Sequence, residues 1–300
     1  PEDARYSVIR YFASDIQNAY GPHTADPRTG EILESDIGWY HNVMNLLRNW
    51  YLVQTAAVNE SSRSVKFEDE VMGQLIRFVS AHEVGHTIGL PHNMGSSYAY
   101  PVDSLRSKTF TSNHGVAPSI MDYARFNYVA QPEDNISNFY PMVGTYDKWS
   151  VKWGYSYFHD ETTKSEQKTL NEWIKSHAGD YEYWFGYYNG IDPRSQTESI
   201  GDDNMKASYY GLENLKRIVP NIIKWSYEEG KDYNDLKELY LNVVSQFRRY
   251  IGHVTTNVGG ILEDIKSYDQ DGPVYVHVNK EQQKRAIIFL NSYVFNSLDW

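Results

Sequence analysis

The sequence predicts an α+β fold, with short strands near the N-terminus and helices over most of the remaining chain. Three observations support this prediction. The 300 residues are 41% hydrophobic and 22% charged, which is typical of a folded globular chain. β-branched and aromatic residues concentrate in short runs near the N-terminus, whereas later segments place apolar residues three and four positions apart.

Three short strands are predicted in the N-terminal segment. Residues 5–12, RYSVIRYF, are rich in β-branched and aromatic side chains between polar flanks, and residues 15–21 predict a short second strand. The sequence PHTADPRTGE at residues 22–31 is dense in Pro, Gly, Asp and Thr, and therefore predicts a turn. A third strand is predicted over residues 31–39.

A change of periodicity then predicts two helices. The first covers residues 42–58, where apolar side chains recur at three- and four-residue steps. The second begins near the acidic residues 68–70, which suit the positive end of a helix dipole. It should end near Gly89, because glycine adopts a left-handed conformation without steric cost, and Pro91 prevents the helix from resuming.

The sequence AHEVGHTIGLPHN places three histidines and a glutamate at the end of this second helix. His82 and His86 lie one turn apart, so their imidazoles can face one ion. The chain reversal at Gly89 lets His92 complete a three-histidine metal site whose fourth position is open to water. Glu83 is placed to accept a proton from that water. The alternative is a solvated helix face that matches HExxH by chance, and the further glycine and histidine argue against it.

Two motifs carry a resemblance to known peptidases. HEVGHTIGLPH matches the HExxHxxGxxH consensus of the metzincin clan of zinc peptidases, and PSIMDY at residues 118–123 resembles the methionine turn of that clan. A lone methionine is more often a core residue, but its pairing with the upstream motif favours the turn. Other segments, among them MDYARFNYVAQPED, TYDKWSVKWGY and DPRSQTESIGDD, resemble the bacterial met-zincin family over nearly the whole chain.

This resemblance implies a zinc endopeptidase with a metzincin-like catalytic domain, built from a small mixed sheet and an active-site helix. The implied site consists of the Zn²⁺ ligands His82, His86 and His92, the general base Glu83, Tyr123 beside the ion to steady the oxyanion, Met121 as an apolar floor, and Gly89 at the turn. The catalytic region is expected at residues 1–155 and a mainly helical region, packed on it, at residues 156–300.

Two further expectations follow from the metzincin plan. Such domains begin with a strand and a long backing helix, and that helix is expected upstream of this chain. An edge strand on the upper rim of the cleft pairs with extended substrate, and DIQNAYGP at residues 15–22 has the corresponding place in chain order. The alternative for this segment is an ordinary surface turn.

The C-terminal region is predicted to alternate helices with one long loop. A possible capping box of Thr163 and Glu166 begins a helix that ends at Gly179. Residues 180–203 lack periodicity, and a loop of this length is expected to be functional or mobile and to line the cleft. Three more helices are expected at residues 205–225, with a bend at Pro220, 234–251 and 280–298, and a strand at 274–278.

The acidic loop between residues 192 and 203 offers a second metal site to consider. Asp192, Asp202 and Asp203 could hold calcium, but the sequence has no twelve-residue ligand pattern and acidic loops are usually solvated. The seven histidines outside the motif lack partners at metal-ligand spacing. Among them His114, just before the methionine turn, is the one closest to the motifs in sequence.

Composition restricts the partners. A net charge of −11 without a basic stripe argues against nucleic acid, and the absence of cysteine excludes disulfides and thiolate ligands. The sequence contains no run of about 18 apolar residues, so it does not predict a membrane span. We therefore expect a protein or peptide substrate and, from the family resemblance, an extracytoplasmic location. Two rival functions are a zinc hydrolase of non-peptide amides or esters and an inactive binding module that keeps the zinc site.

Overall fold

The computed structural model describes residues 3–159, 162–296 and 300. Its N-terminal part contains five short strands: β1 (Ile9–Phe12), β2 (Ala19–Tyr20), β3 (His23–Ala25), β4 (Ile32–Ser35) and β5 (Ile37–Tyr40). Three of them form a mixed sheet in the order β1-β5-β2, with β1 parallel and β2 antiparallel to β5. Strands β3 and β4 pair as a separate antiparallel hairpin.

The third predicted strand is wrong in its continuity, because residues 31–39 are divided between two sheets. Asp36 lies at the break, where its carboxylate accepts a hydrogen bond from the Val8 amide at 3.0 Å and pairs with Arg10 at 2.8 Å. These contacts of Asp36 attach the chain to β1 at the point where its pairing changes, from β3 along β4 to β1 along β5. The predicted turn at residues 22–31 is also too long, since β3 occupies its first part and only the segment after Ala25 turns.

Ten helices follow in the described residues. They are α1 (Val43–Thr55), α2 (Asp69–Thr87), α3 (Val102–Leu105), α4 (Lys108–His114), α5 (Thr145–Tyr155), α6 (Thr163–Ser176), α7 (Asn204–Ile218), α8 (Ile222–Trp225), α9 (Asn234–Thr255) and α10 (Lys280–Tyr293), with the hairpin strands β6 (Ile261–Glu263) and β7 (Tyr275–His277) before the last helix. Helices α3, α4 and α5 and strand β6 were not predicted. The last helix was predicted to extend to Leu298, which lies outside the described residues, but it ends earlier, at Tyr293.

Two helix boundaries differ in detail from the prediction. The capping box of α6 is formed by Thr162 and Ser165, one residue earlier than the predicted pair of Thr163 and Glu166, because the Thr162 hydroxyl accepts from the Ser165 amide. The helix predicted over residues 205–225 is interrupted by a 3-10 turn that contains Pro220, as expected for a residue without an amide hydrogen.

The buried side chains form two clusters that meet at α1. One cluster packs α1 against α7, α9 and α10, and the other packs α1 against α2, β5 and the segment around Met121. Leu52 and Val53 belong to the first cluster, whereas Leu47 and Tyr51 belong to the second. The first cluster contains side chains from before and after residue 155. The division of the chain into two regions at that residue remains a prediction. In the part of the chain that the structure describes, no helix combines the length and apolarity that crossing a bilayer requires.

Candidate metal centre

The last turn of α2 and the chain reversal after it bring three histidines together. His82 and His86 lie one turn apart on α2, which ends at Thr87. Gly89 has a φ of 90°, and the Leu90 amide donates to the carbonyl of Gly85 at 3.0 Å, so the chain folds back along the helix. His92 is thereby returned to the face that carries the other two imidazoles.

The Nε2 atoms of the three histidines converge on one point. They lie 3.1 Å apart for His82 and His86, 2.9 Å for His86 and His92, and 3.2 Å for His82 and His92. Three nitrogens bound tetrahedrally to zinc, at Zn–N distances of about 2.0–2.1 Å, would lie roughly 3.3 Å apart. The observed triangle is close to that size.

The electrostatics of this triangle also suit a cation. The Nδ1–H groups of His82 and His86 donate to the carbonyls of Ile120, at 2.8 Å, and Leu90, at 2.9 Å. A carbonyl only accepts, so in the neutral rings Nε2 carries a lone pair rather than a proton. Burial lowers the pKa of His82 to about 3 and that of His92 to about 4. Neutral nitrogen lone pairs that face one another cannot hydrogen-bond among themselves, but imidazole nitrogens are favoured ligands of zinc.

Glu83 is buried beside the histidines without a partner for its carboxylate. Its exposed fraction is 6%, and Oε2 has no hydrogen bond among the described residues. Burial raises the pKa of Glu83 to about 7. The segment after β2 lies directly on this turn of the helix, because Gly21 has no Cβ that would collide with the Glu83 carbonyl. The Glu83 side chain is therefore largely shielded from solvent, and its Oε2 has no protein partner among the described residues.

The segment around Met121 packs against the turn of α2 that carries His82 and His86. Met121 is fully buried, and its Sδ lies against Gly85, where any Cβ would overlap it. At the N-terminus of α5, Asp147 accepts hydrogen bonds from the Ser119 hydroxyl at 2.6 Å and the Ile120 amide at 2.8 Å. The carbonyl of that same Ile120 holds the ring of His82. Gly85 and Asp147 thus support this segment, and the sequence prediction did not single out either residue.

The ring of Tyr123 packs against two of the histidines. The ring centroids are 5.2 Å from His82 and 4.4 Å from His92. Burial raises the pKa of Tyr123 above its ordinary value.

Asn93, the residue after the third histidine, connects the centre to the loop of residues 180–203. Its amide donates to the carbonyl of Met121 at 3.1 Å, and its side chain bonds both the Trp184 carbonyl, at 2.9 Å, and the Gly186 amide, at 2.8 Å. The prediction did not single out Asn93. Its side-chain amide, which can both donate and accept, explains the two bonds to residues 184 and 186, while the backbone amide makes the bond to Met121.

The other candidates from the sequence lie elsewhere. His114 packs on Phe110, with ring centroids 4.6 Å apart, and is not part of the histidine cluster. The three aspartates considered for calcium are engaged separately. Asp192 forms a buried ion pair with Arg194, Asp202 accepts from the Val102 amide, and Asp203 caps α7. Within the described ranges, the three histidines form the only group of His, Asp and Glu at metal-binding spacing.

A groove of about 1780 Å³ lies next to the centre rather than around it. Its walls include Trp149 and Trp153 of α5, and Tyr183 and Trp184 of the long loop. A smaller cavity of about 390 Å³ touches His86 and shares His23 and residues 89–91 with the groove. The convergent histidine nitrogens and the buried carboxylate of Glu83 lie at the centre and not in the larger space.

Comparison with known proteins identifies the family. The family model described as Met-zincin matches residues 64–300, a range that contains the three histidines, Glu83, Met121 and Tyr123. No curated protein and no solved structure matches the chain. The match covers more than half of the 300 residues and confirms the resemblance found in the motifs. The chain therefore belongs to the Met-zincin family.

Proposed function

We propose that the chain is a zinc-dependent endopeptidase. The observation that supports this most strongly is the convergence of three neutral imidazole nitrogens beside the buried, unpartnered carboxylate of Glu83. Membership of the Met-zincin family suggests the same class of chemistry. His82, His86 and His92 would hold the zinc ion. Zinc in such sites supplies two effects, a polarised carbonyl oxygen and a water whose pKa is near neutral.

The residues around the ligands would handle protons and charge. Glu83 would take a proton from the attacking water at Oε2 and deliver it to the leaving amine, which suits a carboxyl group whose pKa lies near neutral pH. The hydroxyl of Tyr123 would donate a hydrogen bond to the oxyanion that forms at the scissile carbonyl. Strand β2 lies at the edge of its sheet, and its backbone would pair with an extended substrate chain.

The proposed function is tested by incubating the chain with a mixed peptide library. Three samples are compared: the protein as purified with zinc, the protein after treatment with a chelator, and the treated protein after zinc is restored. We expect internal peptide bonds to be cleaved in the first and third samples only. Zinc binding without cleavage of any peptide, combined with hydrolysis of small amides or esters, would instead assign the centre to a different hydrolase.

We also propose that the protein acts outside the cytoplasm. The support is the resemblance to a peptidase family and the absence of cysteine, which removes the dependence on a particular redox environment. Fractionation of the producing cells, followed by immunodetection of the chain, tests this location. Recovery in the cytoplasmic fraction would contradict it.

A further inference from the structure

A continuous stack of side chains runs from α1 to the histidines. The guanidinium carbon of Arg125 lies 3.4 Å from the ring centroid of Trp50 and 4.5 Å from that of Tyr123. Beyond Tyr123 the stack continues to His92 and His82. Arg125 therefore lies between two aromatic rings, and Tyr123 lies between a planar cation and the proposed zinc ligands.

Arg125 is paired in this stack with a buried acidic residue. Its Nε lies 3.5 Å from Oε1 of Glu198, whose other oxygen pairs with Arg249 at 3.2 Å and accepts from Gln54 at 3.2 Å. Glu198 is only 2% exposed, so three polar side chains converge on it away from solvent. The same residue donates its backbone N–H to the carbonyl of Tyr123 at 2.7 Å.

The backbone at both ends of this ion pair is unusual. Arg125 and Glu198 each have a φ of 59°, in the left-handed region that long side chains rarely adopt. Residues held in this region cost roughly 1–3 kcal/mol each and persist where the surrounding structure fixes them, often at active sites. Arg125 follows the methionine turn after one intervening residue, so its conformation sets where the guanidinium meets the Tyr123 ring.

The placement of the Tyr123 ring depends on its two faces. In the described residues, no protein group hydrogen-bonds the Tyr123 hydroxyl, so that group is free to act on a substrate. A ring without a polar anchor is kept in one orientation by the groups that cover it. The groups that pack on this ring are the imidazoles of His82 and His92 and the guanidinium of Arg125.

We propose that Arg125, paired with Glu198, is a positioning residue that sets the orientation of Tyr123 toward the substrate oxyanion. This inference rests on the proposed peptidase function, because it assigns Tyr123 a hydrogen bond to the oxyanion. Arginine suits the role better than lysine, since a planar guanidinium can stack on two rings while its edge binds a carboxylate.

A double-mutant cycle tests the proposal through activity. The kcat and KM for a cleaved peptide are measured for the parent protein, Arg125→Met, Tyr123→Phe and the double variant. We expect Arg125→Met to lower kcat by about tenfold with little change in KM, and to lower it less than about twofold when Tyr123→Phe is already present. An equal loss of kcat in both backgrounds would show that Arg125 acts independently of Tyr123 and would overturn the proposal.

A second measurement does not need activity. Tyrosine-selective ¹³C labelling gives ring resonances in NMR spectra, and Tyr123 is assigned from the signal lost in Tyr123→Phe. We expect this resonance to move in Arg125→Met and in Glu198→Gln, while that of the fully exposed Tyr268 stays in place. An unchanged Tyr123 resonance would overturn the inference even if peptides are cleaved. If no peptide is cleaved but the resonance moves, the stack holds and the proposed function fails.

The fold must survive these substitutions. In Arg125→Met, Glu198 keeps its pairing with Arg249 and Gln54, so its charge is not left alone. Arg125→Lys serves as a second variant, because it keeps the positive charge but loses the flat surface. We expect Arg125→Lys to show a smaller loss of kcat than Arg125→Met, and full activity in Arg125→Lys would contradict the role of stacking.

Discussion

At the scale of single residues, Glu83 combines burial with an unused proton-accepting oxygen. We expect Glu83→Ala to retain zinc, because the three imidazoles are unchanged, and to lose about 10²- to 10⁴-fold in kcat, the usual contribution of a general base. Zinc content by mass spectrometry and peptide cleavage are measured together. Glu70→Ala, an exposed position on the first turn of α2, is the matched control. Cleavage by Glu83→Ala at a rate near that of the parent protein would refute the assignment.

Two glycines on the same helix differ in what surrounds them. A Cβ at Gly85 would overlap the sulfur of Met121, whereas a Cβ at Gly73 would meet nothing. We expect Gly85→Ala to lower the free energy of unfolding by about 1–3 kcal/mol through overpacking, and Gly73→Ala to raise it by roughly 0.5–1 kcal/mol through helix propensity. Urea denaturation of both variants tests this. Equal changes in the two would mean that the contact with Met121 does not limit the packing.

The residues of the centre that could be predicted are those whose spacing in the sequence already indicates a metal site. His82, His86 and His92 lie within a few residues of one another, so helix geometry and one glycine turn relate them. Gly85 was not distinguishable in sequence from Gly73, since both lie in the interior of α2 and only Gly85 has a side chain packed on it. Asp147 and Glu198 had none, because their contacts with the methionine turn join segments far apart in the chain.

At the scale of elements, a predicted helix was accurate where a buried stripe was regular. Helices α1 and α9 were expected at residues 42–58 and 234–251, and they span Val43–Thr55 and Asn234–Thr255. Helix α5 was missed because its buried residue is Asp147, while its aromatic side chains line a groove instead of the core. The third strand was misjudged because a single carboxylate, that of Asp36, redirects the chain.

Helix α5 also fixes the methionine turn through its first residues. Asp147 accepts from Ser119, Ile120 and Gly144, and Asp147→Ala would leave these donors without their acceptor. We expect a loss of about 2–4 kcal/mol in stability and a weaker affinity for zinc, because the carbonyl that orients His82 loses its support. Calorimetric titration with zinc and urea denaturation measure both.

The matched control for this variant is Glu166→Ala. Glu166 also lies in the first turn of a helix, but its side chain has no hydrogen bond within the described residues. The Glu166→Ala substitution therefore removes the same charge from a helix N-terminus without affecting the methionine turn. If both variants lost equal stability, the effect would come from the helix dipole and not from the turn.

At the scale of the whole molecule, the α+β class with small sheets and many helices follows from composition and periodicity. Composition and periodicity do not predict how the two buried clusters share α1, because different faces of this one helix pack against different elements. Contacts such as that between the Glu198 amide and the Tyr123 carbonyl depend on the complete fold. Local patterns contain no information about such pairings.

The stability of the molecule should depend on pH through His253. This buried ring donates from Nε2 to the carbonyl of Thr197 at 2.9 Å, and burial lowers its pKa to about 4 from an ordinary value of 6.5. The unfolded chain therefore binds the proton more readily, and stability is lost as pH falls from 6.5 through about 4, by up to about 3 kcal/mol. At neutral pH this contribution is fully present.

The comparison with His253→Gln isolates this contribution, since glutamine can donate to the same carbonyl without titrating. Urea denaturation at several pH values between 4 and 7 gives the difference in unfolding free energy between the two proteins. We expect the advantage of the parent protein to shrink toward acidic pH, with all other titrating groups cancelling. A difference independent of pH would mean that His253 is not buried in its neutral form.

The bond between Glu198 and Tyr123 has a consequence for biosynthesis. The three histidines, Glu83 and Met121 leave the ribosome well before Glu198 does. A nascent chain that ends between them already contains the complete ligand set, but not the amide that holds Tyr123 or the carboxylate that locks Arg125. Because segments fold as they emerge, the proposed active site would remain incomplete until residues beyond Glu198 are translated. During the same interval, the nascent chain would not cleave other nascent chains on the same polysome.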